Sequence, residues 1–435
     1  MNMLNGAILS YKPIENDTRV QSQIKTLKEI NIQVNILCLS ESRIPRLFLL
    51  FKKIKRILFI LFKKIKRILF KKIIGIKLFL FRISKKQEIK IIFYALKSIF
   101  NFLSKIILIF FYILKSILNF LSKIIFFNNS IILILKFIYI FRSLKKKDTL
   151  KDLNIIIAND LYTLPFGIYL KIKHNCKLIY DMHEYELDRV PKKTFISTVL
   201  LYLIEEVTIP FADYITTVSY SIKQYYKKRF NKKIFLIFNS PIAKNFPPLN
   251  KPIKKLNKLK KYIMIGNISY GRNVIELIEI FKKTDLELTF MGHLNSKFNK
   301  EEKFLHKIKS YGNIHYKTAV KPEMIGDILQ EFDATLFLYD LSYKNYDYAL
   351  PNKFILSLIM RKPIISFEST ELKLFEKRHS TQLNLINNLN EINNLKVLNK
   401  PKLNISEINF YSSQRQALVL KRVVKNLCIS KYKNH

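Results

Sequence analysis

Residues 153–184 read LNIIIANDLYTLPFGIYLKIKHNCKLIYDMHE, and this stretch decides the fold class. Leu153 to Ala158 is an almost unbroken apolar run, which predicts a buried strand. Leu164 to Ile172 reads as a helix, and Lys177 to Asp181 is strand-like again. A strand, a helix-length crossover and a second strand specify a parallel pair.

The same alternation continues in both directions. Upstream, Ala7 to Ser10 predicts a strand, followed by a turn around Pro13. Arg19 to Ile30 then predicts a helix with Val20, Ile24 and Leu27 on one face, and Val34 to Leu39 a second strand. Downstream come a helix over Phe195 to Ala212 and strands at Tyr214 to Ser219 and Ile234 to Phe238. Four prolines and many lysines between Asn239 and Lys261 have linker composition. Beyond the linker, strands are expected at Tyr262–Gly266, Leu286–Met291, Ile314–Tyr316, Ala334–Leu338 and Pro363–Ser366. Helices are expected at Val274–Lys282, Phe304–Ser310, Ile325–Phe332 and Asn352–Met360. Two doubly wound α/β lobes facing a cleft follow from this alternation. The expected division is a first Rossmann-like domain over 1–248, a linker over 249–261, a second Rossmann-like domain over 262–410 and a C-terminal helix over 411–435.

Charge is distributed very unevenly. The chain of 435 residues carries 76 Lys and Arg against 32 Asp and Glu, a formal net charge of +44. Residues 43–147 hold 26 of those bases and one acid, Glu88, so this segment supplies +25 of the total. It also contains two internal repeats. Phe51 to Phe59 recurs at Phe62 to Phe70, and Leu96 to Lys105 recurs in part from Leu114 to Lys123. Shifts of eleven and eighteen residues return to nearly the same helix face. In the second repeat Lys97, Ser98, Asn101, Ser104 and Lys105 fall in a stripe roughly 120° wide, and the rest of the circumference is apolar. Lys105, Lys115, Lys123 and Lys136 interrupt the apolar runs too often for a spanning helix. The favoured reading is an insertion of amphipathic helices lying on an anionic membrane surface. The alternatives are a hairpin packed on its own protein and a tandem expansion without a role. Nucleic acid fits poorly, because the segment pairs lysine with aliphatic bulk and the chain has no Trp.

Cys38, Cys176 and Cys428 are few and far apart, which argues against a disulfide framework and for a reducing compartment. No Cys or His pair has zinc-ligand spacing, so no metal site is expected. The polar N-terminal stretch does not read as a secretory signal. The expected location is cytoplasmic, peripheral on the inner face of the cell membrane.

Five clusters stand at strand ends, where ligands of open α/β sheets bind. They are Asp17-Thr18-Arg19-Val20, Asn159-Asp160, Asp181-Met182-His183-Glu184, Gly266 to Arg272, and Leu350-Pro351-Asn352-Lys353. On these motifs the chain resembles a family-4 glycosyltransferase of the GT-B fold, over about Asn5 to Ser40 and Lys151 to Phe375. That resemblance implies transfer of a sugar, with retention, from a nucleotide-diphosphate donor. The expected acceptor is a saccharide of cell-surface polysaccharide synthesis, lipid-linked because the basic insertion would place the first lobe against anionic lipid, and no cofactor is needed. The resemblance places His183 at the reaction centre, where a neutral imidazole could bond a sugar hydroxyl. Arg272, Asn352, Lys353 and Gly266 fall on the donor diphosphate and sugar. Asp160, Asp181, Glu184, Asp17 and Arg19 are acceptor-side or orienting residues. One departure stands out. The family's ribose-binding Glu falls at Leu356 and its paired Glu at Tyr348, and a basic residue common in the family falls at Asn267. Glu368 and Glu371 are the nearest substitutes. A second reading is therefore a weak or inactive glycosyltransferase-like binding protein.

Overall fold

The computed structural model describes residues 4–11, 14, 17–38, 133–190, 192–240, 261–269, 271–294, 308, 310–379, 381–394, 398–399, 401 and 403–432. Two compact units are present, one formed by Met1–Ser40 with Ile140–His435 and the other by Glu41–Tyr139. The first unit contains two parallel six-stranded sheets with flanking helices. This is the expected GT-B arrangement of paired Rossmann-like lobes.

The first sheet runs β2-β1-β3-β4-β5-β6. Its strands are β1 (Leu4–Ser10), β2 (Ile32–Cys38), β3 (Ile155–Asn159), β4 (Lys177–Met182), β5 (Tyr214–Thr217) and β6 (Lys233–Leu236). All five residues of β3 are buried, as a central strand covered on both faces requires. Its helices are α1 (Thr18–Lys28), α2 (133–146), α3 (Leu164–His174), α4 (Phe195–Thr208) and α5 (Tyr220–Arg229). Helix α3 ends at Asn175 in the left-handed conformation, a common stop signal. The helix expected to reach Ala212 stops at Thr208, and Pro210 lies in the short 3₁₀ turn that follows.

The second sheet runs β12-β11-β10-β7-β8-β9, with β7 (Lys261–Ile265), β8 (Glu287–Met291), β9 (Ile314–Lys317), β10 (Ala334–Phe337), β11 (Ile364–Phe367) and β12 (Asn384–Ile386). Its helices are α6 (Val274–Phe281), α7 (Ile325–Gln330), α8 (Lys344–Asp347), α9 (Asn352–Ile359), α10 (Thr370–His379) and α11 (Ile405–Phe410). Strand order reverses between β7 and β10, so the loops after those strands face the crevice. The last helix, α12 (Ser413–Tyr432), returns to the first lobe. Its Leu420, Val423, Val424 and Leu427 share a core with Ile8, Val20 and Leu27. The expected strand at Ala7 begins earlier, at Leu4, and β12 lies in a stretch where no strand is expected. The helix expected at Phe304–Ser310, most of the basic insertion and nearly all of the linker lie outside the described residues. No described helix is long and apolar enough to cross a membrane.

Candidate functional site

Strand register assembles the first half of the site. Asn159 of β3 pairs with Asp181 of β4, and Asp181 pairs with Thr216 of β5. The three polar side chains therefore form a row across the sheet, and α1 lays Arg19 and Gln23 over it. Arg19 donates to both oxygens of Asp181. Gln23 donates to Asp181 at 2.6 Å and to Asn159 at 3.0 Å, and Thr216 donates to Asp181 at 2.5 Å. Asp181 is fully buried, and burial by itself would raise its pKa. The Arg19 guanidinium and His183 outweigh this and hold the carboxyl far below the usual carboxylate range. Arg19 also donates to the Ile237 carbonyl at 2.6 Å.

His183 follows β4. Its Nε2 lies 2.9 Å from Asp181 Oδ2 and 3.0 Å from Asn159 Oδ1. The Asn159 amide nitrogen is already donating to Leu9 and Gln23, so its oxygen faces the ring. Both neighbours of Nε2 are acceptors, which places a proton on Nε2. Nδ1 lies 3.7 Å from Asp160, a buried residue in the left-handed conformation at the end of β3. Burial would lower the imidazole pKa, but Asp160 and Asp181 together raise it above its ordinary value. Both carboxylates act in that direction.

The second half of the site centres on Arg272. Gly266 after β7 has φ +132°, and a Cβ placed there would lie 2.6 Å from Arg272 Nη1. Gly266 therefore leaves room for the guanidinium and is not itself part of the cleft lining. Arg272 lies 4.7 Å from the centre of the Tyr339 ring and bonds Tyr346, and its Nε is buried without a partner. Pro351 stands at the cap of α9 rather than inside it, and no side chain caps the first amides of that helix.

These halves meet across one cavity of about 670 Å³. It is lined by Asp17, Arg19, His183 and Glu184 from the first lobe and by Asn267, Arg272, Asn345 and Asn352 from the second, among others. Asp17 caps α1 through the amides of Arg19 and Val20. Glu184 pairs with Arg189 at 2.5 Å and accepts from Asn345. Asn345, which sequence reasoning did not single out, also accepts from the Tyr185 amide at 2.7 Å and so ties the lobes together. Lys353 is half-buried and lies outside the cleft lining, and burial lowers its pKa. Asp160 is likewise behind the lining.

The substitutes for the missing carboxylates are engaged elsewhere. Glu371 is buried and accepts from the Tyr220 and Ser221 amides at the start of α5, while Glu368 pairs with Lys373 at 3.2 Å. Leu356 belongs to an apolar cluster with Ile263, Ile265 and Met291. Tyr348 packs edge-on against Tyr185 at 5.5 Å. Among the described residues no group of three or more His, Cys, Asp or Glu has metal-binding geometry.

No family model matches the chain, and no curated protein matches it in sequence. A glycosyltransferase from Rickettsia africae ESF-5 superposes with a TM-score of 0.49 at 11% identity, over 100% of both chains. The apo form of the lipopolysaccharide outer core galactosyltransferase WaaB gives 0.45 at 11% identity, covering 99% of this chain and 98% of that one. Sucrose-phosphate synthase from Thermosynechococcus elongatus gives 0.46 at 12% identity, covering 66% of this chain and 72% of that one. Superpositions this loose carry no argument about the site, which rests on its own residues.

Proposed function

We propose that the chain is a glycosyltransferase, binding a nucleotide-diphosphate sugar and a saccharide acceptor in the cavity between its lobes. One observation carries this reading. His183, held beside Asp160 and Asp181, and Arg272, with an unpartnered Nε, line the same cavity as the uncapped start of α9. An anion at that helix start would meet free backbone amides and a fixed guanidinium. As the bond between sugar and phosphate breaks, negative charge grows on the diphosphate, and those groups stabilise it. His183 keeps Nε2–H fixed on Asp181 and has Nδ1 to offer to a sugar hydroxyl. Retention of configuration belongs to the same proposal on the strength of the motif resemblance, and a lipid-linked acceptor in cell-surface polysaccharide synthesis on the strength of the basic insertion. So does membrane attachment through residues 43–147, on the strength of their basic, apolar composition.

A second reading has a specific basis. Leu356 and Tyr348 offer no carboxylate to ribose hydroxyls, and Glu368 and Glu371 are engaged elsewhere. This favours a carbohydrate- or nucleotide-binding protein without turnover.

A thermal-shift screen of uridine, guanosine, adenosine and thymidine diphosphates separates the outcomes. A rise in melting temperature that Arg272→Ala abolishes supports the donor site. Product formation from the matching sugar donor and a membrane extract then identifies the enzyme. Diphosphate binding without transfer supports the second reading, and no diphosphate binding at all removes the donor site from both.

A further inference from the structure

One short helix touches both halves of the cleft. In α8, Tyr346 bonds Arg272 on the diphosphate side, and its neighbour Asn345 reaches across to the first lobe. Asn345 Oδ1 accepts from the Tyr185 amide at 2.7 Å, which turns its Nδ2 toward Glu184 Oε2 at 3.4 Å. The contact is reciprocal, since Asp188 accepts from the Lys344 amide at 3.0 Å. Side chains close in around it. Tyr185 packs edge-on against Tyr348, and a Cβ placed on Gly271, at φ +80°, would lie 3.1 Å from both Val190 and Tyr346. Residues 184–190 of the first lobe are thus seated against α8 and the loop that carries Arg272.

Glu184 is the group that this seat controls. It lines the cavity beside His183, and its side chain is 35% exposed. Arg189 and Asn345 both meet Oε2, and among the described residues no hydrogen bond reaches Oε1. A carboxylate held by one oxygen can accept from a saccharide hydroxyl with the other. Arg189 belongs to the same loop, binds Glu186 there at 2.6 Å, and moves with it. Asn345 is the contact that Glu184 receives from outside the loop. We propose that Asn345 is a positioning residue for the saccharide acceptor, setting Glu184 in the cavity when a diphosphate engages Arg272. The inference rests on the proposed donor site and adds the link between that site and the acceptor side. An anion that fixes Arg272 and Tyr346 also fixes the adjacent Asn345, and through it residues 184–190. Such coupling is reciprocal, so a saccharide on Glu184 would in turn favour the diphosphate. Holding both reactants in one geometry is what lowers the entropic part of the barrier.

Hydrogen exchange on the full-length protein, read by mass spectrometry, tests the link with each of the four nucleoside diphosphates. The diphosphate that binds should slow exchange around Arg272. It should also slow residues 184–190 by about fivefold or more, the lower end of ordinary coupling between sites. Asn345→Asp keeps an acceptor for the Tyr185 amide but sets a second carboxylate against Glu184. That variant should retain the slowing around Arg272 and lose it at residues 184–190. Adding Glu184→Gln removes the like charges and should restore part of the loss. In transfer to membrane extract, Asn345→Asp should raise the amount of acceptor giving half the maximal rate about tenfold, with the donor KM unchanged. Slowing around Arg272 without slowing at residues 184–190 in the parent would overturn the inference and leave the donor site standing. Equal slowing in the parent and Asn345→Asp would overturn it too. So would loss of diphosphate binding in Asn345→Asp, the sign of a merely structural role. No slowing anywhere would remove the donor site and this inference with it.

Discussion

Arg19 and Asp181, 162 positions apart in the chain, are joined by two hydrogen bonds, Nε to Oδ2 at 2.6 Å and Nη2 to Oδ1 at 2.5 Å. Both side chains are almost wholly buried, so neither has water as an alternative partner. The pair also holds His183 by way of Asp181. Replacing Arg19 by Met leaves a buried carboxylate without its cation and should destabilise the fold by about 3–5 kcal/mol. Asp181→Asn in the same chain should recover part of that loss. Urea denaturation of the two single variants and the double variant measures the coupling, and simple additivity would count against the pair.

Several buried groups share one pH sign. His183 has a raised pKa, and burial pushes Glu205 and Glu371 up to about 7. A raised histidine contributes stability below its unfolded value of about 6.5, lost as pH rises through its folded pKa. A raised glutamate binds more protons folded than unfolded, so its stabilisation is also lost as pH rises from about 4.3 towards 7. Asp181 works the other way, contributing above about pH 3.9 and losing that contribution only as acid titrates its depressed carboxyl. The melting temperature should therefore fall between pH 5 and 8, and Glu205→Gln with Glu371→Gln should flatten the fall. An unchanged slope in that double variant would show that these carboxyls do not set it.

Gly266→Ala tests the clearance around Arg272. The added methyl meets Nη1 at 2.6 Å, and the backbone at φ +132° is already unfavourable for alanine. The variant should lose about 1–3 kcal/mol of stability. Nucleoside diphosphate binding by calorimetry should weaken as well, because the guanidinium is displaced. Arg272→Ala in the Gly266→Ala background should then have little further effect on binding.

Leu356→Glu tests whether the family's carboxylate can simply be restored. Leu356 is 4% exposed among aliphatic side chains, so a carboxylate there has no partner and little water. The expected result is a loss of at least about 3 kcal/mol, without tighter donor binding. Tighter donor binding at unchanged stability would show that this position reaches the ribose after all.

Much of the architecture was legible because it depends on short-range pattern. The apolar run of β3 and the helix-length gaps around it specify parallel strands without knowledge of any partner. His183, Arg272 and Asn352 could be singled out because strand ends and helix starts are local features. Lys353 was also singled out, yet it lies outside the cleft lining. Asn345 carried no signal, since it sits in a four-residue helix too short to show any periodicity, and a lone Asn reads as any turn residue. Strand β12 escaped for a similar reason, being three residues in an Asn-rich stretch.

The amino-acid order by itself determined the two alternating α/β lobes, their strand-end clusters and the concentration of positive charge in one segment. Only the tertiary structure decided that Arg19 would clasp Asp181, that Gly266 would make room for Arg272, and that Glu371 would brace the lobes instead of facing a ligand. It also decided that α4 would turn its polar stripe inward to Tyr226 and Arg229. Hydrophobic periodicity says which residues share a face. Which way that face points depends on partners set by strand order and register, far away along the chain.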